Sequence, residues 1–311
     1  MGSVRVYLGL PQRQLQNKIE VEEGGAMRLI PFDAPFGAKI TGLELANLDS
    51  FDPQILREIE DAVIKYKVIK IVNQELNPRQ LARVAAKFGE SSRDPFIDPV
   101  SEDVPVIEVK RNRLETTPIF GGDWHSDWSF KPEPPKYSFL YGHLIPPAGG
   151  RTIFADCVQA FEKLPQDRRT KMYTLRAIHS ARRAYGRFGL FSKDDSSRAM
   201  KINVSEQAER VVFHPAVRYI KESSEEAVFI NPAYTVGMHG VSGWESAYLI
   251  ENVCAHLTSQ EFRLPITWEQ GNLLVWDNRT VVHSAEGGYE GYQRVMYRMT
   301  VGRERPVSRL I

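Results

Sequence analysis

His125 and Asp127 stand two apart in Asp123-Trp124-His125-Ser126-Asp127, and His283 follows far downstream, after Trp276-Asp277-Asn278-Arg279-Thr280-Val281-Val282. A His-x-Asp…His set is the sequence form of a two-histidine, one-carboxylate facial triad. Such a triad grips a divalent ion from one side and leaves the opposite positions open. The spacing has a physical reason. Side chains i and i+2 of an extended chain share a face, so both can reach one ion while a distant strand supplies the third ligand. Imidazole suits iron, zinc and copper alike, and the carboxylate favours a harder, octahedral ion. A bare His-x-Asp pair also arises by chance, so this set gains weight only from its surroundings. His143, His179, His214, His239 and His256 have no acidic residue at that spacing and are expected as surface or hydrogen-bonded core imidazoles.

The surroundings are informative. Residues Gln293 to Val301 read as a strand whose alternation puts Arg294, Met296, Arg298 and Thr300 on one face and Val295, Tyr297, Met299 and Val301 on the other. The second face is an ordinary core face. The first carries two guanidinium groups, the preferred partners of a carboxylate in a confined site, although a solvated strand face would look the same. Between His283 and Arg294 runs Gly287-Gly288-Tyr289-Glu290-Gly291, which reads as a turn folding the arginine strand back beside the histidine strand as a hairpin. A metal ligand next to two inward arginines points to an anionic co-substrate bound at the metal.

At this point the chain resembles the taurine dioxygenase and 2,4-dichlorophenoxyacetate dioxygenase family of Fe(II)/2-oxoglutarate-dependent oxygenases. The resemblance runs from about Met27 to Pro306. It includes Phe36-Gly37-Ala38-Lys39-Ile40-Thr41-Gly42, Phe88-Gly89-Glu90, Trp124-His125-Ser126-Asp127, Gly149-Gly150-Arg151-Thr152 and Trp276-Asp277-Asn278-Arg279, then His283, Arg294 and Arg298. The resemblance implies Fe(II), 2-oxoglutarate and O₂ as cofactor and co-substrates. It implies His125, Asp127 and His283 as iron ligands, and Arg294 with Thr152 as partners of the distal carboxylate of 2-oxoglutarate. Arg298 would bind the anionic group of the prime substrate. By residue type alone, Thr152 would also pass for a β-branched strand residue after a Gly-Gly turn.

Two departures bear on the substrate. Where the taurine enzymes carry a sulfonate-binding histidine, this chain has Asp94, which would repel a sulfonate and attract an amine or accept from a hydroxyl. The alternative is that Asp94 only begins a turn before Pro95. Trp128 stands where the taurine enzymes have a smaller residue, either narrowing the pocket or packing in the core. The expected substrate is therefore a small acid that also bears an amine or hydroxyl, rather than taurine. Asp127 argues against halogenation, because halogenases related to the family lack that carboxylate.

Composition sets limits around this reading. The chain has 311 residues, 42% hydrophobic and 25% charged, with 40 basic and 39 acidic residues and a formal charge of +1. That balance is ordinary for a soluble globular enzyme and gives no bulk attraction to nucleic acid. Cys157 and Cys254 supply neither a disulfide framework nor a cysteine metal spacing. No apolar run approaches a membrane span and no signal-peptide core is visible, so a reducing cytoplasm is the default. The final Ser308-Arg309-Leu310 is followed by Ile311, so it is not a terminal peroxisomal address. Subunit number is left open, a homo-oligomer included.

The elements that must position these residues are helices first, then strands. Asp52-Pro53 reads as an N-cap and first helical position before the stripe Ile55, Leu56, Ile59, Val63. Val68 to Val72 is a short β-rich run. Asn77-Pro78 opens a second helix with Leu81, Val84, Ala85 and Phe88, and Gly89 closes it. Ser242 and Glu245 fit a capping box before Leu249, Ile250, Val253 and Leu257. Short strands and Gly/Pro turns fill the rest, giving a mainly β, α+β class: a double-stranded β-helix, or jelly roll, with flanking helices. We expect one domain over 1–311, with 1–25 as an extension and 182–201, rich in arginine and lysine, as a candidate active-site lid or a solvated basic loop. Two rivals from other classes are a His/Asp/His zinc hydrolase, which leaves both arginines and Thr152 without a task, and a non-catalytic jelly roll that binds a ligand.

Overall fold

The computed structural model describes residues 27–50, 53–192 and 197–309; the expected N-terminal extension and the Asp52 cap fall outside them. In chain order the strands are β1 (Arg28–Pro31), β2 (Ala38–Thr41), β3 (Val68–Ile71), β4 (Ser91–Ser92), β5 (Ile107–Arg111), β6 (Pro135–Leu144), β7 (Thr152–Asp156) and β8 (Arg176–Ser180). They continue as β9 (Val211–Pro215), β10 (Val217–Ile220), β11 (Glu225–Val228), β12 (Thr235–His239), β13 (Arg263–Ile266), β14 (Leu273–Asp277), β15 (Val281–Ala285) and β16 (Arg294–Arg303). The α-helices are α1 (Pro53–Tyr66), α2 (Pro78–Ala86), α3 (Cys157–Glu162), α4 (Gln166–Tyr173), α5 (Arg182–Tyr185) and α6 (Gly243–Leu257). The class is strand-rich α+β.

A large sheet runs β1-β2-β3-β14-β6-β16-β4, with β5 also paired to β16, and a smaller one runs β13-β7-β15. The β14 strand is buried at every position because both its faces are covered. Leu273 and Val275 join Ile59, Val63, Leu81 and Val84 in a core beneath α1 and α2. Leu274 and Trp276 join Phe154 of β7, Leu264 and Ile266 of β13 and Val281 of β15 in a core between the two sheets. Alternation in β16 follows the same rule: Met299 and Val301 face the helices, whereas Met296 faces the smaller sheet. Arg294 and Arg298 share the face of Met296, and both are buried. They do not lie on a solvated strand face.

Local signals explain the helix ends. The side chain of Asn77 accepts from Gln80 N and the side chain of Gln80 from Asn77 N, a full capping box where only an Asn-Pro start was expected. At α6 only half of the expected box forms. Ser242 Oγ accepts from Glu245 N at 3.2 Å, but the Glu245 carboxylate pairs with Lys171. The chain leaves α1 through Lys67 at φ +67°, and the Lys67 ammonium then reaches Asp156 Oδ2 at 2.7 Å, a buried ion pair joining the two sheets.

One expectation fails. β15 and β16 do not form a hairpin: β15 pairs with β7, and β16 with β6, β5 and β4. The glycine-rich segment between them crosses from the smaller sheet to the larger, so the histidine strand and the arginine strand face each other across the interior. The crossing is held by a second glycine turn. Gly150 N donates to Gly287 O at 2.9 Å, and a Cβ on Gly149, whose φ is +73°, would lie 2.1 Å from Gly288 O. Gly149→Ala is therefore expected to lower the free energy of unfolding in urea by about 2–3 kcal/mol, from left-handed backbone strain plus the forced separation of the two turns. An unchanged midpoint would show that the turns part without cost.

Candidate active site

A one-residue antiparallel bridge brings the two histidines together. His125 N donates to His283 O at 3.0 Å and His283 N to His125 O at 2.8 Å. Directly opposed residues of such a pair project their side chains to one side, and the two imidazole centroids lie 4.2 Å apart. Extended backbone holds only at His125, because Asp127 already belongs to the turn that carries Trp128 at φ +47°. The carboxylate nevertheless arrives. Asp127 Oδ1 lies 3.6 Å from His125 Nε2 and 3.8 Å from His283 Nε2, and one donor atom from each residue falls within 4.8 Å of the others.

The electrostatics suit a cation. His125 Nδ1 is 2.7 Å from Asp123 O, a carbonyl that can only accept, so the proton sits on Nδ1 and Nε2 offers its lone pair. Burial first, then His125, push the His283 pKa well below the ordinary imidazole value, which keeps it a neutral donor. Burial alone would raise Asp127, but Arg298, His283 and His125 outweigh it and hold the carboxyl far below the usual carboxylate range. Arg298 Nη2 donates to Asp127 Oδ1 at 2.5 Å.

The Trp276-Asp277-Asn278-Arg279 run, given no role from sequence, builds the support. Ser138 Oγ donates to Asp127 Oδ2 at 2.5 Å and accepts from Asn278 Nδ2 at 2.8 Å. Asn278 Oδ1 accepts from Trp276 Nε1 at 2.9 Å and from Asp127 N at 3.3 Å. Arg279, fully buried, holds both oxygens of Asp277 and reaches Glu222 and Glu304 through Nη1, each at 2.9 Å. This network fixes the β14–β15 turn, hence the start of the His283 strand. Ser138 sits on β6 within an alternating run, where nothing in the sequence distinguishes it.

Thr152 opens β7 just after the Gly149–Gly150 turn, and Arg294 reaches that turn from β16. Trp268 Nε1 donates to Thr152 Oγ1 at 2.9 Å, leaving the hydroxyl hydrogen to donate elsewhere. Arg294 Nη2 donates to Gly150 O at 3.1 Å, and its buried Nε has no partner among the described residues. Burial pulls the Arg294 pKa down, with only Tyr289 to resist. This is a buried cation still short of an anion.

Arg298 lines a separate small cavity of about 40 Å³ with His125, Trp128, Phe120, Tyr185, Tyr234, Leu190 and Phe191. Asp94 is not among its walls. One Asp94 oxygen accepts from Phe96 N and Ile97 N, as in a turn before proline, and the other accepts from Trp128 Nε1 at 3.2 Å. Burial raises the Asp94 pKa against the opposing pull of Arg298 and its hydrogen bonds. Trp128 is thus both packed and cavity-facing, with the Lys131 ammonium 3.7 Å over its ring. Sequence reasoning missed Tyr185 and Tyr234, which come from distant segments. A larger groove of about 610 Å³ beside α6 and β12 includes none of the three ligands.

His179 and His214, expected as core imidazoles, are buried and pin the turn after Asp127. His179 Nδ1 is 3.0 Å from Ser129 Oγ, and His214 Nε2 is 3.0 Å from the carbonyls of Ser129 and Lys131. Burial pushes their pKa values down to about 3 and about 4. The unfolded chain protonates both near pH 6.5, so below that pH it binds more protons than the folded protein and stability falls. Each residue contributes up to about 1.4 kcal/mol per pH unit until the folded value is reached. Urea titrations from pH 7 to pH 4.5 should show this decline, with a shallower slope for His214→Asn. Equal slopes for the two proteins would contradict it.

Comparison with known proteins places this geometry. Residues 28–300 match the family described as taurine catabolism dioxygenase TauD, TfdA family. An alpha-ketoglutarate-dependent sulfate ester dioxygenase of Pseudomonas putida is 28% identical over 285 residues, covering 89% of this chain and 90% of the relative. An alpha-ketoglutarate-dependent 2,4-dichlorophenoxyacetate dioxygenase of Cupriavidus pinatubonensis is 30% identical over 270 residues, 81% of this chain and 90% of that one. The solved structure of a taurine dioxygenase from Burkholderia xenovorans superposes with a TM-score of 0.74 at 26% identity, over 91% of this chain and 93% of its own. The chain belongs to the taurine catabolism dioxygenase TauD, TfdA family, whose dioxygenases use Fe(II), 2-oxoglutarate and O₂.

Proposed function

We propose that this protein oxidises a small, acid-bearing organic molecule, with conversion of 2-oxoglutarate to succinate and CO₂. The observation that carries the reading is the buried His125, Asp127 and His283 donor set, faced across the interior by two buried arginines. On this reading the two facing sheets are the halves of a jelly roll and the chain is one catalytic domain. The three residues would hold Fe(II), and the metal with 2-oxoglutarate and O₂ supplies the oxidising power for attack on a C–H bond. The chain's own residues do the rest. Arg294, with its unpartnered Nε, and Thr152, with its free hydroxyl hydrogen, hold the distal carboxylate of the co-substrate. Arg298 holds the acid group of the substrate, and Asp94 acts on that substrate through Trp128, whose indole it orients. The positioned substrate is hydroxylated, desaturated or cyclised according to where its carbon sits.

From the described part of the expected lid segment, Tyr185, Leu190 and Phe191 wall the cavity. Among the described residues, no helix is long and apolar enough to cross a membrane.

Succinate release from 2-oxoglutarate that requires both Fe(II) and O₂ tests the reading directly. His125→Ala, Asp127→Ala and His283→Ala should each cut it by about 100-fold or more, the top of the range for losing even an outer partner of a ligand. They should also lower the bound iron measured in the purified protein. Full activity in any one of them removes that residue from the metal site.

The two arginines should separate. Arg294→Ala should raise the half-saturating 2-oxoglutarate concentration by roughly 30-fold or more, as a buried carboxylate loses its charge partner. Arg298→Ala should chiefly weaken the organic substrate. If both variants moved only 2-oxoglutarate, the division of labour would be wrong.

A further inference from the structure

Beyond Arg298, the cavity has polar walls that no metal or co-substrate role uses. Tyr185 and Tyr234 are both buried and both line the space that contains His125 and Arg298. They come from opposite sides. Tyr185 ends α5, the first turn of the covering segment, and stacks on Phe96 with centroids 4.3 Å apart and rings within 11° of parallel. Tyr234 follows the turn at Asn231, meets Phe130 edge to face at 4.9 Å and stands edge-on to His125 at 6.0 Å. The two phenols are hydrogen-bonded to each other, and each lies within electrostatic reach of Arg298 and of Asp94. Apart from the Asp123 carboxylate, the other lining side chains are apolar or aromatic, among them Ile119, Phe120, Trp128, Leu190 and Phe191.

We propose that Tyr185 and Tyr234, as a hydrogen-bonded pair, are substrate-binding residues that together with Arg298 form a receptor for the acid group of the prime substrate. The proposal rests on the acid-bearing reading given above. The chemistry of the walls supports it. A guanidinium offers only N–H donors, and a phenol adds an O–H that donates to an oxyanion. Asp94, the acidic neighbour that would repel an anion, already has both oxygens engaged by Phe96, Ile97 and Trp128. The lining carboxylate, Asp123, is exposed at the rim. A substrate therefore enters acid first, with its apolar body against Phe120, Leu190 and Phe191. A carboxylate and a sulfate ester present the same oxyanion chemistry.

The test measures affinity by the quenching of tryptophan fluorescence in Fe(II)- and 2-oxoglutarate-loaded protein without O₂. The probes are phenoxyacetate against neutral phenoxyacetamide, and hexyl sulfate against hexanol. Wild type should prefer at least one acid to its neutral partner by about tenfold or more, and whichever acid shows the larger preference identifies the oxyanion. Tyr185→Phe and Tyr234→Phe keep the stacked rings and remove only the hydroxyls. Each should weaken the acid by about tenfold while shifting the neutral partner less than about twofold. A wild-type preference that survives undiminished in both variants overturns the tyrosine assignment and leaves the acid-bearing reading standing. Absence of any preference in wild type overturns both. Equal weakening of acid and neutral partner would mark the tyrosines as packing residues and also overturn the assignment.

Discussion

The reciprocal backbone bridge between His125 and His283 is the constraint on which the rest of the site depends. It joins residues 158 positions apart in the chain and leaves their rings side by side. A bridge of one residue is weak alone, so its neighbours must fix both ends. On one side β15 is paired along its length with β7. On the other, the turn after His125 is tied down through Ser126 Oγ to Asn278 O, through Asn278 to Asp127 N, and through His179 and His214 to Ser129. The Asn278 bonds converge on the β14–β15 turn, which Arg279 locks against Asp277, Glu222 and Glu304. Breaking such a buried network leaves charges unpaired, which is costly. The geometry of the candidate ligands therefore inherits its rigidity from the residues behind them.

Crossing between sheets does the second half of the work. Had β15 and β16 formed a hairpin, His283 and the two arginines would have stood side by side on one surface. The crossing puts them on opposing walls, and facing sheets pack about 10 Å apart. On the proposed reading, that separation would let the co-substrate span from the three candidate ligands to Arg294. The contact of two glycine turns maintains it, since Gly149 and Gly288 approach too closely for a side chain between them.

Much of this was legible before any coordinates. The alternation of Gln293 to Val301 predicted that Arg294 and Arg298 share a face, and they do, because a β-strand forces that periodicity. Proline and asparagine announced α2, and Ser242 announced α6, because these signals are local. The failures share a cause. Whether Gly287 to Gly291 folds back or crosses over depends on which partner strands are free, and β7 had already claimed β15. Whether His125 and Asp127 reach one ion through a strand or a turn made no difference to their spacing, so the sequence could not choose. Glu245 left its capping box for Lys171, a residue on another helix. Ser138, Tyr185 and Tyr234 carried no local mark, since their neighbours come from across the fold.

Arg298 joins the two halves of the site into one electrostatic unit. Its Nη2 donates to the carboxylate of Asp127, one of the three candidate ligands, yet its guanidinium also lines the cavity and lies 5.9 Å from the Trp128 ring. A guanidinium has further N–H groups beyond the one spent on Asp127, and these can meet a second anion. Buried charges at such range interact far more strongly than charges in water. On the proposed reading, a cation held by Asp127 and an acid held by Arg298 would draw on the same ion pair, so metal ligation and substrate binding would be coupled through one side chain.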